Sequence, residues 1–148
     1  MSLVRRLLLI TLVCPIQMVG QEHPSVRVPF AGCYRIASQT WKPTSEDIKL
    51  LPDQFHLLTE SAFERSRELF SVRSIPATGE VNERLWVWQP KGNRLWISWG
   101  TGFGGFRGTL KRSATGEFFG TLREWCDSRC EWKTRVGKIR IRPITCSE

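Results

Sequence analysis

The stretch from Arg84 to Trp125, RLWVWQPKGNRLWISWGTGFGGFRGTLKRSATGEFFGTLREW, constrains this chain more than any other. Short runs in which apolar and polar residues alternate are separated by turn signals, Pro90-Lys91-Gly92-Asn93 and Ser113-Ala114-Thr115-Gly116 among them. A period of two is the mark of half-buried strands, and clusters of Pro, Gly and Asn close hairpins. The stretch therefore predicts a meander of four antiparallel strands. In RLWVWQ, Trp86 and Trp88 share one face and Leu85 and Val87 the other; in NRLWISWG, Leu95 and Ile97 oppose Trp96 and Ser98. With Lys91-Gly92 as the two loop residues, Trp86 falls opposite Ile97 and Trp88 opposite Leu95. Phe106, Gly108 and Leu110 face inwards while Arg107, Thr109 and Lys111 face out. For EFFGTLREW both Phe118-Gly120-Leu122 and Phe119-Thr121-Trp125 suit a core, and a one-residue bulge at Gly116 would decide between them.

The rest of the chain extends the same pattern. FAGCYRIAS, residues 30–38, is the first strand, with Tyr34 and Ile36 on one face. A long connection follows, QTWKPTSEDIKLLPD, in which Thr44 or Ser45 caps a single helical turn and Trp41 plugs one end of the core. QFHLLTE and ELFSVRSI read as the second and third strands, with the charged Glu60–Arg67 turning the chain between them. TRVGKIRIRPI is the last strand, sending Ile139 and Ile141 one way and Lys138, Arg140 and Arg142 the other. Strands joined in sequence by hairpins close into an all-β, eight-stranded antiparallel up-and-down barrel; a β-sandwich is the alternative. Residues 21–29 form a flexible lead-in and residues 30–148 a single domain, long enough to bury a core unaided.

Arg5 and Arg6 precede the apolar run Leu7–Val19, which is too short to span a bilayer and ends at the small residue Gly20. Residues 1–20 read as a signal peptide, and the protein as exported, periplasmic or secreted. Loss of Arg5 and Arg6 lowers 22 basic residues to 20 against 14 acidic ones, a net charge of +6 that attracts anionic surfaces and also serves solubility. Of five cysteines, Cys33, Cys126, Cys130 and Cys146 remain, an even number in an oxidising compartment. In a closed antiparallel barrel the start of the first strand lies beside the end of the last, so Cys33–Cys146 across the seam is the expected pairing among the three connectivities that four cysteines allow. Cys126 and Cys130 then clip the last hairpin. Their spacing does not match a paired zinc knuckle, and no metal or cofactor is implied.

Gly100-Thr101-Gly102-Phe103-Gly104-Gly105 satisfies the dinucleotide-binding pattern literally, but a strand follows it instead of a helix. Its glycines read as wall residues that let strands coil and approach, with Gly102–Gly105 as a loop from which Phe103 can swing at a pocket mouth. Of the seven tryptophans, those at strand positions are first of all core. Trp41, Trp86, Trp88, Trp99, Phe103 and Phe106 are the candidate lining of a ligand pocket. Export argues against nucleic acid, which aromatics beside Arg84, Arg94, Arg107 and Lys111 would otherwise suit. His56 stands alone, no nucleophile and base can be paired, and catalytic residues are not expected.

Gly32-Cys33-Tyr34 at the start of the first strand, the long connection, the hairpins and the arginines closing the last strand resemble the calycin superfamily, the lipocalin-like barrels, and exported bacterial proteins with such a barrel. Members of that superfamily pack an aromatic residue beneath an arginine of the final strand at the closed end. The resemblance gives those places to Gly32, Tyr34, and Arg140 or Arg142, with Tyr34 where lipocalins carry tryptophan. It implies a barrel that binds a small apolar molecule; the reading of the whole chain is a monomeric, non-catalytic binder of a small apolar or amphipathic ligand. The alternative is a filled barrel acting through its basic, aromatic surface on anionic envelope components.

Overall fold

The computed structural model describes residues 28–43, 51–76, 83, 85–127 and 134–146. The strands are β1 (Gly32–Lys42), β2 (Gln54–Phe63), β3 (Ser66–Ser74), β4 (Val87–Lys91), β5 (Arg94–Gly100), β6 (Gly104–Arg112), β7 (Phe118–Cys126) and β8 (Val136–Ile144). Each pairs antiparallel with its neighbours in sequence, and β8 returns to β1, which closes the barrel. The up-and-down barrel predicted from the hairpin pattern is the fold, and the sandwich is not.

The seam is where the cysteines place it. Cys33 and Cys146 are joined, with an S–S distance of 2.06 Å and Cα atoms 5.2 Å apart. Beside them β1 and β8 pair from Cys33↔Ile144 to Lys42↔Val136, interrupted where Ala37 is left unpaired between Ile36 and Ser38. Cys126 is disulfide-bonded as well. Its expected partner Cys130, the signal segment 1–20, the lead-in up to residue 27 and the helical turn near residue 47 lie outside the described residues.

Three boundaries differ from the sequence reading. β1 runs on to Lys42, because β8 supplies Val136–Ile139 as partners, so Trp41 belongs to a strand and not to a connection. Trp41 lies over Gly137; a Cβ there would sit 2.4 Å from its ring, so only glycine leaves room. β2 continues to Phe63, leaving Glu64-Arg65 as the turn instead of the whole of Glu60–Arg67. Charged side chains on a solvated face do not end a ladder whose backbone is paired. In the third case Gly92-Asn93, not Lys91-Gly92, is the loop between Lys91 and Arg94, with Gly92 at φ +61. Glycine takes the first loop position because that backbone geometry disfavours a side chain. Trp88 therefore faces Ile97, and Pro90 faces Leu95. The slip of two residues preserves which face each side chain occupies.

The interior carries one apolar cluster. Phe55, Leu57, Trp88, Leu95, Ile97, Leu110, Phe118, Leu122 and Ile141 are all fully buried. The open question of β7 is answered by Phe118 and Leu122 pointing inwards, while Phe119 is 43% exposed. No bulge is needed: pairing of β6 with β7 is unbroken from Gly104↔Cys126 to Arg112↔Phe118, and Ser113 N–H donates to Glu117 O at 2.7 Å to close the loop.

Candidate binding surface

The residues expected to line an interior pocket are mostly held by one another. Trp88 is fully buried, stands 5.1 Å from the Phe70 ring, and its indole N–H donates to Leu58 O at 2.9 Å. Trp99 meets Phe55 edge to face at 5.3 Å, and Trp41 meets Phe106 in the same way at 4.6 Å. Trp86 is half-buried against this cluster. Trp99 alone among these is a buried donor with no acceptor among the described residues. Phe103 is not brought to them. It is 83% exposed at a tight turn closed by Thr101 N–H donating to Gly104 O at 2.7 Å. Behind that turn the chain cannot swing freely: Gly105, at φ +155, is so close to β5 that a Cβ would lie 2.0 Å from Trp99 O. Trp125 covers the same glycines from outside, its ring reaching Gly100, with the Arg107 guanidinium 5.5 Å from its centroid.

At the disulfide end, Gly32 starts β1 and Tyr34 is buried, stacked on Phe55 and edge-on to Phe118. Its hydroxyl donates to Phe30 O at 2.8 Å. Burial raises the Tyr34 pKa, and the nearby Arg112 charge opposes that rise. Arg140 and Arg142 do not take the place implied by the resemblance. They alternate with the inward Ile139 and Ile141 and are exposed on the outer face. The arginine at this end comes from β6: Arg112 lies 5.4 Å from the Phe30 ring. The alternation in Lys138–Arg142 was the signal against the arginines of β8, whereas nothing local marks Arg112.

A polar pair at the other end escaped the sequence reading. Glu124 follows the inward parity of Phe118 and Leu122, and its carboxylate accepts from Arg135 Nη2 at 2.6 Å, from Nε at 3.0 Å and from the backbone N–H at 2.9 Å. This hydrogen bonding raises the Arg135 pKa. Arg135 also stands 5.6 Å from the Phe106 centroid, so the pair rests on the aromatic cluster. Two side-chain hydrogen bonds and one from the backbone fix the carboxylate to Arg135, which suits a structural tie better than proton transfer. His56 lies with both seam sulfurs inside a 4.8 Å group, but the sulfurs are bonded to each other and offer no thiolate ligand. Burial and the Arg73 charge lower the His56 pKa.

The outer face of β5–β8 has a different character. Arg94 lies directly opposite Lys111, and Arg107 directly opposite Arg123. Lys138, Arg140 and Arg142 continue the face on β8. Every charged side chain in these outward strand positions is a cation, whereas Glu60, Glu64 and Glu68 are exposed on the β2–β3 side. Where β7, β8 and the end of β1 adjoin, the surface is hollowed into a groove of about 350 Å³, lined by Ser38, Gln39, Thr40, Phe119, Thr121, Lys138 and Arg140 among others. The sequence marked β8 as a basic stripe but not the neighbours that complete it. Comparison with known proteins returns no matching family model, no matching curated protein and no matching solved structure.

Proposed function

We propose that this protein is an exported, non-catalytic barrel with a filled core, which binds an anionic envelope component through the outer face of β5–β8. One observation carries the reading: Arg94 against Lys111 and Arg107 against Arg123 are like charges at directly paired positions. Such pairs weaken a sheet, so the face is better explained by an anionic partner than by stability. The carboxylates of β2–β3 leave the charge polarised, which steers an anionic partner to one side. The seam disulfide is compatible with an oxidising compartment.

The test is titration with inorganic polyphosphate over rising salt. Lys111→Glu with Arg123→Glu should abolish binding, while Arg65→Glu with Arg73→Glu, on the opposite side, should leave it nearly intact. Wild-type binding should fade as the screening length falls below about 10 Å near 0.1 M salt. Equal losses from the two double variants would sink the proposal.

A second reading is favoured by Trp99, whose buried indole N–H has no acceptor among the described residues. A small amphipathic molecule inside the barrel, as the calycin resemblance implies, would supply one. Native mass spectrometry of protein purified under native conditions tests it. Absence of a bound mass, together with no quenching of tryptophan by lipophilic probes, would exclude it.

A further inference from the structure

We infer that the groove across β1, β8 and β7 is a subsite for an anionic saccharide, so that the envelope component is a charged glycan; this rests on the basic-face reading above. The geometry starts at Ala37. Leaving that residue out of the ladder shifts the rest of β1 by one position and sets Ser38 beside Arg140 and Thr40 beside Lys138. On the other flank of β8, Phe119 pairs with Arg140 and Thr121 with Lys138. Two rungs result, Ser38–Arg140–Phe119 and Thr40–Lys138–Thr121, each with a cation at its centre and a hydroxyl at one or both ends.

That combination selects among anions. Hydroxyl side chains hydrogen-bond the vicinal oxygens of a sugar, an exposed aromatic ring stacks on its C–H face, and the cations hold a carboxylate or phosphate substituent. Glu117 Oε2 is 3.9 Å from Arg140 Nη1, a long contact that a ligand carboxylate can replace. The groove, about 350 Å³, is at the lower end of the range of about 300–1,000 Å³ for small-ligand sites, and fits a sugar unit better than a bulky chain. A bilayer is disfavoured because, among the described residues, Phe119 is the only large apolar side chain markedly exposed on this face; Phe63, Leu85 and Phe103 lie elsewhere. Single-stranded nucleic acid needs successive free stacking platforms, and the other aromatic rings on the face are each met by a cation, Trp96 by Lys91 Nζ at 5.8 Å and Trp125 by the Arg107 guanidinium at 5.5 Å from the ring centroids.

The experiment compares oligogalacturonate with inorganic polyphosphate of equal charge at fixed ionic strength, using the oxidised protein. Wild type should bind the glycan more tightly. Phe119→Ala should weaken glycan binding about tenfold, in line with one lost stacking contact, and leave polyphosphate binding unchanged. Thr40→Ala with Thr121→Val should act in the same direction, and Lys138→Ala with Arg140→Ala should weaken both ligands. If Phe119→Ala affects neither ligand, or both equally, the saccharide subsite is wrong while the basic-face reading stands. Failure of wild type to bind either polyanion overturns both.

Discussion

Removing the seam disulfide is the sharpest test of how this barrel is stabilised. Cys33 and Cys146 are 113 residues apart, so their bond closes nearly the whole described chain. In the chain-entropy model a loop of that length removes about 16 cal/mol/K from the unfolded ensemble, equivalent to about 4.8 kcal/mol at 25 °C. That is a large share of the 5–15 kcal/mol typical of a domain. Cys33 is 3% exposed, so alanine is the better replacement there, since a serine hydroxyl would add an unpaired buried group. The variant Cys33→Ala/Cys146→Ser should therefore lose about 4–5 kcal/mol in urea unfolding followed by tryptophan fluorescence. With a slope of about 1.5–2 kcal/mol/M, the midpoint should fall by about 2–3 M. A short loop carries less: Cys126→Ala, opening the clip expected with Cys130, should cost only about 2 kcal/mol. A loss below about 1 kcal/mol for the seam variant would refute the reasoning. It would mean that pairing of β1 with β8 closes the barrel unaided and that the unfolded chain gains little from the cut.

Other outcomes follow from individual contacts. Gly137→Ala places a Cβ 2.4 Å from the Trp41 ring and should destabilise by about 1–3 kcal/mol, with a change in Trp41 emission as its edge contact with Phe106 loosens. Arg135→Ala removes the two side-chain hydrogen bonds to Glu124 and should cost about 2 kcal/mol, read by thermal unfolding. Tyr34 is the only tyrosine, so phenolate absorbance reports it directly. Its raised pKa means that the folded state retains the proton longer than the unfolded chain does. Its ionisation should therefore lie above pH 10 in the native protein, and the associated stability, fully present below pH 10, should be lost as pH rises through the folded value.

Most of the fold was legible because strand alternation and hairpin chemistry are local. Phe106 and Leu110 inwards with Arg107 and Lys111 outwards needed only the period of two, and Cys33 beside Cys146 followed once closure was assumed. The errors fall where a partner strand decides. Trp41 looked like a loop residue until β8 offered Gly137 as its seat, and Glu60–Arg67 looked like a turn because its charges said nothing about its backbone. The binding surface was half legible: Lys138 and Arg140 stood out, but Ser38 and Thr40 joined them only through the missed rung at Ala37. Arg140 and Arg142, which the resemblance set beside Tyr34, alternate with inward isoleucines and stay exposed, and the arginine against the Phe30 ring is Arg112 of β6.

By itself, then, the sequence determined the class of the fold, the alternation of faces along the strands, the inward face of β6 and the pair of cysteines that staples the seam, since each depends on residues close in the chain or on closure alone. Tertiary structure decided the register at Gly92, the direction of Phe118 and Leu122, the Glu124–Arg135 tie and the alignment of cations across β5–β8. Those depend on which residue of one strand stands beside which residue of the next, and only the assembled sheet specifies that.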